Sequence, residues 1–356
     1  MFAWWEVYGR MRQEDALLIV TARTGGRLVG LLPGYLTRRR MLGGRGTVFA
    51  FLGSEHESSD YLTIIQADPA DQDLSRQFLE YLSRMSGPRI DLMLWSNILD
   101  DNPLLHTIRR FSRESGARHF RQHHRICPFL TVEGDWESYL KRLSGNMRQQ
   151  VLRRRKKFFR GSGGRCRQVT DRDALAASIH TLFNLHERRF DSKEERSKFN
   201  RLPRKVFHSR VAHQFLDLDM LRLFELLVDD RVVASLYCYE FAGELFYFQA
   251  GLDPEWEPWS VGTVLMSRAL EYAHARGLKR FDFMRGAEAY KFRWTKETRN
   301  MDVVFVGLTL AGKSYLMARE AFDLTKRQVR QFIIRGPGFG SPDAPPGGTP
   351  RPPRKR

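Results

Sequence analysis

The sequence predicts a mixed α/β (α+β) protein built from two successive domains, each with a mixed, largely antiparallel sheet flanked by helices. Its 356 residues are enough to form two hydrophobic cores of ordinary size. Hydrophobic residues make up 42% of the chain and aromatic residues 12%, as is typical of globular proteins. Both halves alternate strand-like and helix-like segments. The predicted parts are an N-terminal domain, a basic amphipathic linking helix, a C-terminal domain and a disordered Gly/Pro/Arg-rich tail, at residues 1–127, 128–163, 164–335 and 336–356.

In the N-terminal domain, glycine and proline mark the ends of the predicted elements. The start, "FAWWEVYGR", is typical of the end of an amphipathic helix, so we expect this domain to lack a piece upstream. The segments "ALLIVTA" and "RLVGLLPGYL" predict a hairpin with a glycine turn, and "DYLTIIQ" and "RIDLMLWS" predict two further strands. Helices are predicted over residues 71–85 and from Pro103 to Gly116.

The linking segment is strongly basic. Apolar residues at helical spacing predict one amphipathic helix over residues 135–160. Residues 141–160 contain nine basic residues and no acidic one. Such a helix can follow a phosphate backbone, or it can be a solvated face whose apolar stripe docks between the domains. We therefore expect at most weak, non-specific contact with nucleic acid or an anionic membrane.

The C-terminal domain has a clearer alternation. A strand, "RCRQVT", is followed by helices that start near Asp171 and Pro203. Three antiparallel strands are predicted from "LRLFELLVD", "RVVASLYCYEF" and "GELFYFQAGL", and then a helix from Ser260 that ends at Gly277. The strand "FDFM", the strand "DVVFVGLTL" and a helix to about Ile333 complete the domain.

The charge and the cysteines narrow the possible functions. A net charge of +18 and a pI near 10.2 favour an anionic partner such as a phosphorylated cofactor, a nucleic acid or an acidic membrane surface. The 3 cysteines are dispersed and the 10 histidines show no ligand spacing, so we expect no disulfide framework and no metal. No apolar run is long enough to span a bilayer, and we expect a cytoplasmic protein without a transmembrane segment.

One helix start is a candidate anion site. Ser260, Val261, Gly262 and Thr263 precede the apolar run "VLMSRAL", and the free backbone N–H groups of a helix N-terminus attract phosphate. Serine and glycine are also ordinary helix caps, so this segment alone leaves both interpretations open.

Two motifs resemble a known family. "FDFMRGAEAYKFRW", residues 281–294, resembles the G-x-E-x-Y-K-x-x-W ending of a bacterial branch of the GNAT acyltransferase superfamily. That branch comprises the cellulose-biosynthesis-type acetyltransferases, which are relatives of the Fem peptidyltransferases. "WESYLKRLSGNMRQQVLRRRKK" is similar to the W-x-x-Y-L-x-x-L-S-x-x-x-R helix of the same branch, and the resemblance extends to about residue 310.

The resemblance implies two GNAT-like domains, with acetyl-CoA or another acyl-CoA bound by the second. It assigns Gln249, Ala250 and Gly251 to the pantetheine arm and the segment from Ser260 to Thr263, including Val261 and Gly262, to the pyrophosphate. The chain departs from ordinary GNAT enzymes because it lacks the R/Q-x-x-G-x-G/A loop. The Fem relatives use aminoacyl-tRNA as the donor.

The same resemblance suggests roles for the residues of the "FDFMRGAEAYKFRW" motif. Lys291 would stabilise the oxyanion or a phosphate, Asp282 and Glu288 would act as bases, and Tyr290 would protonate the departing thiolate. The alternative is a structural ion pair between Asp282 and Lys291, with Tyr290 in the core.

The sequence as a whole therefore predicts an N-acyltransferase that moves an acyl group from acyl-CoA to an amine of a sugar or of a cell-envelope or exopolysaccharide precursor. Two alternatives stay open: a Fem-like, aminoacyl-tRNA-dependent transferase, and a non-catalytic scaffold of a polysaccharide-secretion system. The acceptor, the acyl length and the oligomeric state do not follow from the sequence.

Overall fold

The computed structural model describes residues 1–335 except residues 12, 42–43, 55–58, 193 and 195–196. The tail predicted at residues 336–356 lies outside the described residues. The strands are β1 (Ala16–Thr24), β2 (Arg27–Met41), β3 (Gly44–Phe51), β4 (Ile65–Gln66), β5 (Leu92–Leu99), β6 (Arg118–Thr131), β7 (Arg165–Val169), β8 (Leu221–Val228), β9 (Arg231–Phe241), β10 (Glu244–Leu252), β11 (Arg280–Asp282) and β12 (Glu297–Gly307). The helices are α1 (Phe2–Val7), α2 (Gln72–Arg84), α3 (Pro103–Ser115), α4 (Trp136–Arg142), α5 (Gly145–Lys156), α6 (Arg172–Asp191), α7 (Leu202–Asp217), α8 (Val261–Ala275) and α9 (Leu310–Arg335).

These strands form one continuous sheet in the order β1-β2-β3-β5-β12-β6-β11-β10-β9-β8-β7, with β4 paired to β2. Among the strand pairs that the structure describes, only β3–β5 and β10–β11 are parallel, so the sheet is mixed and largely antiparallel, with helices against it. The predicted fold class is confirmed. The two halves join where β11 pairs with β6, at Phe281 opposite Leu130.

The N-terminal half has its core between the sheet and helices α2 and α3. The helix starts are capped as their sequences predict, because Asp71 accepts from the backbone N–H of Leu74 and Asn102 from that of Leu104. Buried aromatic side chains of β3 and β5 fill this core; among them Trp95 is fully buried.

Strand β12 crosses back into the N-terminal half. It lies between β5 and β6, and its Val304 and Val306 belong to the same core as α2 and α3. The division of the chain by residue number into 1–127 and 164–335 remains a prediction, because this sheet runs through both halves.

The C-terminal half has a core on each face of its sheet. Alternate residues of β8 face opposite sides: Phe224 and Leu226 face α4, α5 and α8, whereas Leu221 and Leu223 face α6 and α7.

The single helix predicted over residues 135–160 is divided in two. Leu143 has an extended backbone (ψ 153°), and Ser144 then caps α5 by accepting from the N–H of Met147 at 3.3 Å. The two helices pack on the C-terminal half through Trp136, Met147 and other buried side chains, rather than between the two halves as predicted.

Among the residues that the structure describes, no helix is long and apolar enough to cross a membrane, and no cluster of three or more His, Cys, Asp or Glu side chains is arranged to hold a metal ion.

Candidate active site

Two cavities meet at a pair of tyrosines. The α8 cavity has a volume of about 190 Å³ and lies between β10, α8 and the 290–294 turn. The central cavity has a volume of about 470 Å³ and lies between the N-terminal half, α7, β10 and the 283–291 segment. Tyr247 and Tyr290 line both cavities, and their hydroxyl oxygens are 3.3 Å apart.

The α8 cavity exists because β10 and β11 separate. The two strands pair only over Glu244–Phe246 and Arg280–Asp282, after which β10 continues to Leu252 and β11 ends. A β-bulge between Tyr247 and Gln249 bends β10 at the point of separation. Beyond Phe246, no strand of the described part of the chain therefore lies beside the edge of β10 that faces away from β9, and the cavity lies along that edge.

The residues expected to hold the donor fall into three groups. Ala250, Gly262 and Thr263 line the α8 cavity, whereas Gln249 lines the central cavity. Gly251 faces α6: a Cβ at this position would lie 2.7 Å from a backbone carbonyl oxygen of that helix.

At the start of α8, Ser260 adopts a left-handed conformation (φ 53°) and its side chain makes no capping hydrogen bond. Val261 is 2% exposed and belongs to the core.

Arginines gather at the start of α8. Arg154 of α5 donates from Nη1 to the hydroxyl oxygen of Thr263 at 3.0 Å, and Arg189 and Arg293 line the α8 cavity. Burial and the charges of Arg293 and Arg153 lower the pKa of Arg154. Positive side chains and a helix N-terminus together favour an anion at this place.

A wide cleft of about 990 Å³ adjoins the α8 cavity through Met147, Arg293 and Trp294, which line both. Its charged lining residues comprise four basic and two acidic side chains, namely Arg142, Arg154, Arg293, Lys296, Glu133 and Glu297.

Asp282 is fully buried and its carboxylate is fully engaged. Both of its oxygens accept from the hydroxyl of Tyr61 (2.9 and 3.0 Å), Arg299 forms an ion pair with it, and the N–H of Met284 donates to Oδ1 at 2.5 Å. The guanidinium of Arg299 lies over the ring of Tyr61 at 4.4 Å. Asp282 lines neither cavity and is not paired with Lys291.

The ammonium of Lys291 faces its own turn. Lys291 is 3% exposed, and its Nζ lies 2.8 Å from the carbonyl oxygen of Arg285 and 3.4 Å from those of Met284 and Gly286. Glu288 pairs with it at 2.9 Å. These four acceptors exceed the three donors of an ammonium. The left-handed backbone at Met284 (φ 55°) and the positive φ of Gly286 shape this turn.

Tyr290 lies at the junction of the cavities with its hydroxyl protonated. Burial raises the pKa of Tyr290 well above its ordinary value, and the neighbouring Tyr247 hydroxyl adds to the shift. Burial also raises the pKa of Tyr247 to about 12. A phenol that keeps its proton can donate a hydrogen bond to a group that lies at this junction.

Asp60 and Tyr61 were not among the predicted site residues, although both line the central cavity. They lie in "SSDYLT", where a strand was predicted and the structure instead has a left-handed residue at Tyr61 (φ 60°). Nothing in the polar sequence around Asp60 signals a site, because its neighbours come from residues more than 200 positions further along the chain.

One segment of the chain matches a known protein family. Residues 145–292 match the model of the acetyltransferase (GNAT) domain family, a span that includes β10, α8 and the turn with Tyr290. No curated protein sequence is found to match the chain.

Several solved structures share the fold at low identity. FemX has a TM-score of 0.60 at 9% identity, with 85% of this chain and 90% of that chain covered. A conserved protein of unknown function from Bacteroides thetaiotaomicron has a TM-score of 0.55 at 10% identity, covering 86% and 88% of the two chains. The C-terminal domain of a putative lysylphosphatidylglycerol synthetase from Agrobacterium fabrum gives 0.50 at 11% identity, with 88% of each chain covered. Residues 145–292 are thus similar to a GNAT acetyltransferase domain, within a chain whose fold resembles that of FemX.

Proposed function

We propose that this protein is an N-acyltransferase that takes an acyl group from acyl-CoA at the α8 cavity and delivers it to an amine in the central cavity. The observation that carries the proposal is the pair Tyr247–Tyr290, which lines both cavities and is the point where a donor and an acceptor would meet. We propose that the amine belongs to a sugar or a cell-envelope precursor and that the protein works in the cytoplasm.

The open edge of β10 would hold the donor. A pantetheine arm carries amide groups that can pair with the backbone of an unpaired strand edge, and the separation of β10 from β11 provides that edge. The phosphates would lie at the start of α8, where Gly262 and Thr263 line the cavity beside Arg154 and Arg293.

Tyr290 would protonate the thiolate that leaves. The reaction forms an amide bond, breaks the C–S bond of the thioester and returns one proton to the sulfur. In this proposal Asp282 and Lys291 hold the turn that presents Tyr290, because their charges are already engaged by Arg299 and by backbone carbonyl groups.

A second candidate donor is aminoacyl-tRNA. The wide cleft that adjoins the α8 cavity is net basic and much larger than that cavity, so it has room for a bulkier polyanion than the nucleotide of CoA.

Titration of the full chain with CoA and acetyl-CoA by calorimetry tests the donor, and release of free thiol in the presence of a panel of primary amines tests the transfer. Arg293→Ala should weaken CoA binding about tenfold or more, since it removes a charged contact to phosphate. Arg153→Ala, an exposed arginine of α5, serves as the matched control and should bind normally. Absence of CoA binding together with tight binding of charged tRNA would replace this proposal with the second candidate.

A further inference from the structure

The central cavity contains a buried carboxylate that no residue motif predicts. Asp60 comes from the N-terminal half, and its side chain is 3% exposed. Its Oδ1 forms an ion pair with Nε of Arg285 at 3.2 Å and makes no hydrogen bond to any residue that the structure describes. Oδ2 accepts only a long hydrogen bond, 3.4 Å, from the backbone N–H of Arg285. A buried carboxylate held by one ion pair and one long hydrogen bond still has lone pairs that can accept from a further donor in the cavity.

Given the proposed acyl transfer, we propose that Asp60 is the general base of the reaction: it binds the ammonium of the acceptor in the central cavity and removes its proton. The other acids of the site are less suitable. Asp282 is saturated by Tyr61, Arg299 and a backbone N–H, and Glu288 is 56% exposed, so water solvates its carboxylate, whereas that of Asp60 is 3% exposed.

The reaction balances with this assignment. Asp60 takes one proton from the R–NH₃⁺ group, and the neutral amine attacks the thioester carbonyl carbon. The C–S bond breaks, and the thiolate takes the proton of the Tyr290 hydroxyl. The second proton of the amine nitrogen restores Tyr290, and Asp60 releases its proton to solvent. One ammonium and one thioester thus give one amide, one thiol and one proton.

The electrostatics suit a base. Burial raises the pKa of Asp60, while the adjacent Arg285 opposes the rise. A base whose pKa is raised towards the working pH is more effective than an ordinary carboxylate. The charges of Asp282 and Lys291 also shift the pKa of Asp60, and the charge of Asp60 in turn raises the pKa of Tyr61 and of Cys127. Glu288, Arg204 and His208 also line the cavity.

Tyr61 positions this base. Its hydroxyl bonds to both oxygens of Asp282, which fixes the segment that carries Asp60 against the C-terminal half. A left-handed backbone is unfavourable for tyrosine, so this conformation persists only because the surrounding contacts hold it. One half of the sheet would thus supply the base and the other half the donor site.

The test uses the full chain, acetyl-CoA and the primary amine that the wild type acetylates fastest. Asp60→Asn should lower kcat/KM by about 10²–10⁴-fold and abolish the fall of kcat/KM at low pH that protonation of the base causes. CoA affinity and melting temperature should not change. Asp60→Ala should regain activity in formate, whose carboxylate fills the vacated space. Asp100→Asn is the matched control, because Asp100 bonds to Asn300 and lines neither cavity, and its rate should stay within about twofold.

Several outcomes would overturn the inference. If the wild type is active and Asp60→Asn loses less than about tenfold, or Asp60→Ala gains nothing from formate, Asp60 is not the base. If both variants unfold, the pH dependence of the wild type decides instead. A wild-type kcat/KM that does not fall at low pH with any amine would also show that Asp60 is not the base. A wild type that binds CoA and acetylates no amine refutes the proposed function itself, and the role of Asp60 falls with it.

Discussion

Replacing Lys291 with methionine separates a structural from a catalytic role. Methionine keeps the length of the buried stem and removes the ammonium, so the carbonyl oxygens of Met284, Arg285 and Gly286 lose their donor. The contact at 2.8 Å is a short hydrogen bond to a charged group, a class that contributes about 1.5–3 kcal/mol, whereas the two at 3.4 Å are long and contribute little.

The ion pair with Glu288 adds little to the cost, because that carboxylate is 56% exposed and water replaces the lost partner. Together these contributions predict a loss of about 2–4 kcal/mol in the free energy of unfolding. In a chain of this length the melting temperature should fall by roughly 3–5 °C.

Thermal melts and acetyl-transfer rates on the same preparation check this prediction. We expect activity per folded molecule, measured well below the melting temperature, to stay within about tenfold of the wild type, because all three ammonium donors already have protein acceptors. Lys296→Met, an exposed lysine five residues along, is the matched control and should melt normally.

A variant that melts like the wild type and loses about a hundredfold in turnover would refute this reasoning. It would assign Lys291 to the oxyanion, as loss of one such donor has that effect in other enzymes.

Three further predictions concern separate parts of the site. Tyr290→Phe should lower turnover by about 10²-fold or more with little change in melting, because the cavities lose their proton donor, whereas the exposed Tyr81→Phe should change neither rate nor melting. Gly251→Ala should destabilise the fold by about 1–3 kcal/mol in chemical denaturation, because its Cβ would lie 2.7 Å from a carbonyl oxygen of α6. Gly145→Ala is the control: a Cβ at Gly145 meets nothing within 4 Å, so this variant should not be destabilised. If α5 binds nucleic acid, replacing Arg153 with glutamate should reduce the slope of log affinity for RNA against log salt by about 1. We expect weak, non-specific contact. Gel shifts that show sub-micromolar binding with a preference for charged tRNA would contradict this expectation.

The sequence predicts the fold well where apolar periodicity is clean, and less well where buried charges interrupt it. Strands β8 to β10 and helix α8 lie within a few residues of their predicted bounds. Strand β6 was not predicted, because its basic residues Arg121 and His123 obscure the alternation. Both contact the buried Asp302 of β12, at 2.6 and 2.7 Å, a partner that is remote in sequence.

The site shows the same limit. The motif with Tyr290 and Lys291 identifies the segment, but the partner of Lys291 depends on a left-handed turn at Met284 that no local pattern predicts. Asp60 reaches the cavity through contacts with Arg285 and, by way of Tyr61, with Asp282, all of which form only in the folded chain. Sequence patterns report local structure, whereas these pairings are set by the tertiary fold.

The position of β12 has a consequence for synthesis of the chain. Strands β5 and β6 each pair with β12 rather than with each other, yet β5 ends at Leu99 and β12 begins at Glu297. At the usual rate of about 5–20 residues per second, the ribosome needs roughly 10–40 s to make the intervening segment. During that interval the facing edges of β5 and β6 have unpaired backbone groups, which are a template for pairing with another chain. The nascent N-terminal half should therefore depend on chaperone protection until β12 inserts, and ribosome-bound chains that stop before Glu297 should be more prone to aggregate than chains that extend past Gly307.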